Sequence, residues 1–117
     1  MGNFEDLVAW QKARQTQKEI FTTFYHTNQY WFKEQIFKAM LSVSNNIAEG
    51  FERKSDKEFL LFLNYSKASC GEVRSMLYTA EDMGFCSGDT ADMLRTQTLE
   101  VSRIIQGLIN FQKSKIT

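Results

Sequence analysis

No proline occurs anywhere in the 117 residues. The strongest breaker of helices is therefore missing, and long helices are permitted throughout. Apolar residues recur at spacings of three and four, which is the period of a helix face. Four helical segments follow from that period. The first runs from about Glu5 to His26, with Leu7, Trp10, Ala13, Ile20 and Phe24 on one stripe and Lys12, Arg14, Gln15 and Lys18 outside it. Asn3 is its expected N-cap, and Glu5 and Asp6 suit the positive end of the helix dipole. Thr27-Asn28-Gln29 reads as a break. The second segment runs from about Phe32 to Arg53, with Phe32, Ile36, Ala39, Met40, Val43 and Ile47 facing inward. The third opens on Ser55-Asp56-Lys57-Glu58, a capping box. Its stripe continues through Phe59, Phe62, Leu63, Ser66, Ser69, Cys70, Val73, Leu77 and Ala80. Gly84 fits a left-handed C-cap, with Phe85 packing behind it. The fourth begins after Ser87-Gly88-Asp89, with Asp89 as the expected cap, and continues through Leu94, Val101, Ile105, Leu108 and Phe111. Short loops between long helices predict an all-α, antiparallel up-down-up-down four-helix bundle, forming one domain over residues 1–117.

The bundle has more apolar surface than one core needs. Phe37, Phe51, Leu60, Leu61 and Tyr65 fall off the inner stripes, and the run Phe59 to Phe62 makes the third helix apolar nearly all round. A helix of that kind is normally covered on both sides. A homo-oligomer is the expected cover, with a docked partner protein as the alternative.

Charge narrows the partners. Fourteen acidic side chains balance fourteen basic ones. A neutral chain argues against broad wrapping by nucleic acid, though a local basic patch remains compatible. Arg53, Lys54 and Lys57 make such a corner after the second helix. There they either complement a helix end or contact phosphate, and repetition in a symmetric ring would join the corners into a basic rim. No apolar run approaches the ~18 residues of a membrane span, and no basic-then-apolar leader opens the chain. Two cysteines, Cys70 and Cys86, are too few for a disulfide framework. The expectation is a reduced, cytoplasmic protein with no membrane contact.

Ser42-Val43-Ser44-Asn45-Asn46-Ile47-Ala48-Glu49-Gly50 places polar groups inside an apolar pattern. Asn46, Glu49, Gly50 and Arg53 share one face by spacings of three and four. They are either a ligand site with a carboxylate and an amide, or a polar seam between helices or subunits. Gly50 would admit a close backbone approach. No second chemical constellation accompanies them. His26 is the one histidine, Glu-x-x-His and metal-ligand spacings are missing, and Gly50, Gly71, Gly84 and Gly88 are isolated. No catalytic residue, metal or cofactor is expected, and the seam is the preferred reading. Trp10, Tyr30, Trp31 and Phe32 read as packing anchors rather than as a base-stacking platform.

Longer stretches carry a resemblance. Phe4-Glu5-Asp6-Leu7-Val8-Ala9-Trp10-Gln11-Lys12-Ala13 looks like the "F-x-x-L-x-x-W-Q-K-A" opening of a bacterial four-helix-bundle family encoded in intervening sequences of large-subunit (23S) rRNA genes. Residues 42–53 with Glu58-Phe59 and Phe62-Leu63 resemble its "S-I-x-x-N-I-A-E-G-x-x-R" and "E-F-x-x-F-L" segments. Lys67 to Val73, including Glu72, is similar to "R-G-S-x-x-E-L". The resemblance covers nearly the whole chain. It implies a homopentameric ring without enzymatic activity, and RNA or a nucleoprotein as a possible partner. A relative in fold, the accessory protein of diversity-generating retroelements, is basic and binds its reverse transcriptase and nucleic acid. Carried over, nucleic-acid contact would fall on Lys38, Arg53, Lys54 and Lys57. The family commonly has prolines around Tyr30-Trp31 and Val43-Ser44, and a basic residue where Phe37 stands. The change at Phe37 weakens RNA contact there and favours apolar contact. Lys38 and Glu72 are expected to pair across the antiparallel helices. Three functions remain open: an oligomeric scaffold, an RNA-binding accessory, and, distantly, a small-ligand protein using Asn46, Glu49 and Arg53.

Overall fold

The computed structural model describes residues 2–116. A single 3-10 turn, Phe4–Asp6, leads into four helices: α1 (Val8–Phe24), α2 (Tyr30–Phe51), α3 (Asp56–Asp82) and α4 (Gly88–Ile116). Each helix packs on two others. α1 lies against α2 and α4, and α3 lies against the same two, so neighbours in the chain are neighbours in space and α4 returns to α1. The molecule is a rod of about 46 × 20 × 19 Å.

The helix ends follow from local chemistry. Ser55 caps α3: its Oγ accepts from the Glu58 amide at 3.1 Å, and its hydroxyl lies 3.2 Å from the Glu58 carboxylate. At the other end Gly84 has φ 73°, which only glycine adopts freely. The Phe85 amide donates to the Ala80 carbonyl at 2.8 Å and the Gly84 amide to the Glu81 carbonyl at 3.1 Å, the two bonds of a Schellman motif. Phe85 then packs edge-on against Phe32, with ring centres 5.0 Å apart.

Two caps differ from the sequence expectation. Asn3 heads the 3-10 turn without a side-chain cap, and α1 starts after Leu7, which has no capping oxygen. α4 is capped by Ser87 rather than Asp89, because the Thr90 amide donates to Ser87 Oγ at 3.1 Å. Helix geometry begins at Gly88, so the oxygen that reaches the third amide must come from residue 87. Asp89 sits in the first turn, where its charge still suits the dipole.

The core is one apolar cluster running the length of the rod. On α2 the expected stripe is buried in full. On α1, Leu7, Ala13, Ile20 and Phe24 are buried with Ala9 and Thr16, while Trp10 is half-buried against Phe4. On α3, Phe62 and Ser69 sit at the edge and the other stripe residues are inside. α4 departs from expectation in its last third. Leu94, Val101 and Ile105 are buried, but the stripe continues through Ile109 and Gln112, leaving Leu108 half-buried and Phe111 54% exposed. Steps of three after Ile105 fall short of the ~3.6 residues per turn that keep a stripe on one face.

Cys70 is fully inside the core. Burial pushes its thiol up to about 12, against the pull of Arg74 and Lys67. Cys86 is only partly covered, and its thiol is raised by burial and by the Glu81 carboxylate, against Arg95.

Candidate functional site

The polar stretch of α2 spreads around three sides of the helix. Ser42, Asn46 and Gly50 face α3. Asn46 Nδ2 donates to the Ser42 carbonyl and to Ser42 Oγ, both at 2.8 Å. Ser69 Oγ of α3 lies 3.0 Å from Ser42 Oγ and 3.1 Å from the Tyr65 carbonyl. One turn away, Ser66 Oγ donates to the Val43 carbonyl at 2.7 Å, inside the core. Ser44 points to the opposite neighbour and donates to Gln17 Oε1 of α1 at 3.0 Å. The buried hydroxyls of Ser44 and Ser66 are thus partnered, as burial requires.

At Gly50 α3 packs directly on the backbone of α2. A Cβ there would stand 2.6 Å from Phe62 Cβ and 3.0 Å from Phe59 Cδ1. Glu49 and Arg53 lie outside this contact and pair with each other at 3.0 Å, both about half-exposed. The Arg53 guanidinium also covers the Phe62 ring at 4.8 Å. So Asn46 and Glu49 line one open depression on α2, but the Asn46 amide is spent on Ser42 and Glu49 pairs with Arg53 along the outside.

Glu72 accepts from Gln35 Nε2 at 2.9 Å, in place of the Lys38 pairing expected from sequence. The antiparallel register was right and the face was wrong. Gln35 shares the α3-facing stripe with Ala39, Ser42, Asn46 and Gly50, whereas Lys38 is turned one step around the helix. Lys38 instead lines a shallow open depression of about 700 Å³ along α2, with Glu34, Phe37, Leu41, Ser42, Asn45, Asn46 and Glu49.

The basic residues do not form one patch. Lys54 and Lys57 are exposed at the α2–α3 turn, and neither has an ion pair among the described residues. Arg53 is engaged by Glu49. Lys38 is fifteen residues earlier on α2, roughly 22 Å along the axis at ~1.5 Å per residue.

The apolar candidates divide as well. Phe37 is half-buried against Phe21 of α1, ring centres 4.4 Å apart. Phe51 meets Phe59 edge-on at 5.9 Å, and Leu60 is half-buried against the core. Leu61 and Tyr65 remain outside, each 48% exposed, and Leu41 joins them on α2. Sequence reading missed Leu41 and also missed Arg95. Arg95 ties α4 to α3 through Glu81 at 2.9 Å, pairs with Asp92 at 3.0 Å and lies 4.1 Å over the Tyr78 ring. Opposite charges flanking the α3–α4 loop were the available signal.

Among the described residues no three His, Cys, Asp or Glu side chains are grouped to hold a metal, and no helix is long and apolar enough to cross a membrane. His26 is exposed at the end of α1, edge-on to Tyr25 at 5.0 Å.

The model of the 23S rRNA-intervening sequence protein family matches residues 5–107, which include the whole polar stretch and the close approach at Gly50. The chain belongs to the 23S rRNA-intervening sequence protein family. No curated protein matches it. A similar solved structure is a protein of unknown function from the S23 ribosomal protein family of Bacteroides thetaiotaomicron. It is 16% identical, with a TM-score of 0.82 over 87% of this chain and 98% of that one. At that identity the likeness is one of fold. Within the 23S rRNA-intervening sequence protein match lie α1, α2, α3 and most of α4; residues 108–116 extend beyond it.

Proposed function

We propose that the chain is a non-catalytic, self-assembling four-helix-bundle protein, acting in the cytoplasm as an oligomeric binding scaffold, with the homopentamer as its assembly. The observation that carries this reading is the outward apolar surface of the α2–α3 hairpin. Leu61 and Tyr65 stay half-exposed on α3 and Leu41 on α2, although the core beneath is complete. Leu61 and Tyr65 stand four residues apart on one face of α3, and contiguous exposed apolar surface marks an interaction site. The polar stretch supports the same reading, because Ser42 and Ser44 bond across to Ser69 of α3 and Gln17 of α1, and the Asn46 amide is taken up by Ser42. A native mass spectrum of the untagged protein is the test. A mass near five times 13.6 kDa is expected; a monomer at micromolar concentration overturns the reading.

A second reading, an accessory that binds RNA or a nucleoprotein, is favoured by the two unpaired cations Lys54 and Lys57 at one turn. Lys38 and Arg53 would contribute only if an assembly brings copies of them together. RNA affinity at low salt that falls steeply with added salt supports this reading, and no binding at low salt removes it.

A further inference from the structure

Lys38 and Glu72 are both exposed, and neither has an ion pair among the described residues. The Glu72 carboxylate meets only the neutral Gln35 carboxamide, at 2.9 Å. Each charge borders exposed apolar surface. Lys38 lines the depression along α2 with Leu41, which is 38% exposed. Glu72 stands seven residues after Tyr65 on α3, two turns further along the same face, with Leu61 one turn before Tyr65. One helix therefore offers a positive charge beside an apolar floor, and the other a negative charge beside an apolar ridge.

The spacings match. Tyr65 to Glu72 and Lys38 to Asn45 are both seven residues, about 10 Å along a helix. Within the hairpin α2 and α3 run in opposite directions, so copies ranged side by side in one direction bring α3 of one copy antiparallel to α2 of the next. With Glu72 set at Lys38 in that sense, Tyr65 reaches Asn45 and Ala68 falls beside Leu41, all of them exposed. Lys57 then arrives at the end of α2, where Glu49 and Glu52 flank Arg53. The docking patch differs from the patch that receives it, so the contact can repeat head-to-tail, as closing a ring of like subunits requires. A two-fold pair would instead set α3 parallel to α2 and, with Tyr65 on Leu41, would bring Glu72 to Glu49.

We propose that a second copy of this chain docks along α2 through its α3, antiparallel, so that Glu72 of one copy pairs with Lys38 of the next while Tyr65 and Ala68 cover Leu41. The contact rests on the scaffold reading and names its mating surfaces. The ion pair that the single chain does not make is made between chains, where complementary charge fixes register.

Charge reversal in the full chain is the test, read as assembled fraction against concentration by native mass spectrometry and analytical ultracentrifugation at low salt. Lys38→Glu and Glu72→Lys are each expected to raise the concentration at which half the chains assemble by about tenfold or more, and the double variant to restore it. Both positions are exposed, and circular dichroism checks that helix content is kept. A wild type that stays monomeric overturns the scaffold reading and this contact with it. An assembled wild type that neither reversal weakens overturns this contact alone. So does a double variant as weak as the singles. So does a Glu72→Lys chain that assembles more tightly, the result expected of the two-fold pair. If a variant fails to fold, carbodiimide coupling of the wild type decides: a Lys38–Glu72 cross-link joining isotope-labelled to unlabelled chains is expected, and its absence overturns the proposal.

Discussion

Gly50 shows how one residue can be chosen by its neighbour rather than by its helix. Glycine lowers helix propensity by about 1 kcal/mol relative to alanine, so Gly50→Ala should help an isolated helix. In this bundle the new Cβ meets the Phe62 Cβ and the Phe59 ring, and overpacking of this sort costs about 1–3 kcal/mol. We expect Gly50→Ala to be net destabilising in urea titration; a gain in midpoint would place the close approach elsewhere. Cys70 gives a second residue-scale expectation. Its folded thiol is raised to about 12, whereas the unfolded thiol titrates at 9.0. The folded state therefore holds its proton longer, and stability is lost as pH climbs from 9.0 toward about 12. Tm of the wild type should fall more steeply across that window than Tm of Cys70→Ala, and parallel curves would deny the burial effect. At this scale the sequence was partly legible. The role of Gly50 as a close approach could be read from an isolated glycine on a polar face. The true partner of Glu72 could not, because choosing between Gln35 and Lys38 depends on how far α2 is rotated, and spacing alone does not record that rotation.

Helix ends are the next scale. The capping box at Ser55 and the left-handed Gly84 were visible because each rests on a local pattern with a fixed geometry. The cap of α4 was less visible, since Ser87 and Asp89 are both good capping residues and stand two apart. The hydrogen bond from the Thr90 amide selects Ser87. Ser87→Ala should accordingly lower stability by about 1 kcal/mol, and Asp89→Ala by less, about 0.3–1 kcal/mol at low salt, with screening at high salt. The reverse order in thermal unfolding would restore Asp89 as the cap. The end of α4 was misread for a related reason. Leu108 and Phe111 are more apolar than Gln112, and hydropathy outvoted the period. The structure follows the period and leaves a carboxamide in the core.

For the whole molecule, the chain-neighbour arrangement of four helices was the most legible feature, because proline-free periodic segments and short loops leave few alternatives. The assembly was the least legible. Phe37, Phe51 and Leu60 were grouped with Leu61 and Tyr65 as outward residues, yet Phe21, Phe59 and the core cover the first three in part. Leu61 and Tyr65 are thus the sharper probes. Leu61→Glu should leave the helical circular-dichroism signal intact while shifting the native mass toward a single chain. An unchanged assembly would move the interface away from α3.

The circuit of neighbour contacts also bears on how fast the bundle forms. The hairpins α1–α2, α2–α3 and α3–α4 each close a short loop, and among the described residues the pairings of elements that are not adjacent in sequence are α1 with α4 and the Phe4–Asp6 turn with α2. Low contact order of this kind belongs to chains that fold in microseconds to milliseconds. Without proline there is also no peptide-bond isomerisation to impose a phase of tens of seconds. Dilution from urea should restore the monomer's helical signal within the mixing time of a stopped-flow instrument or close to it. Any slower, concentration-dependent phase would then time the meeting of chains.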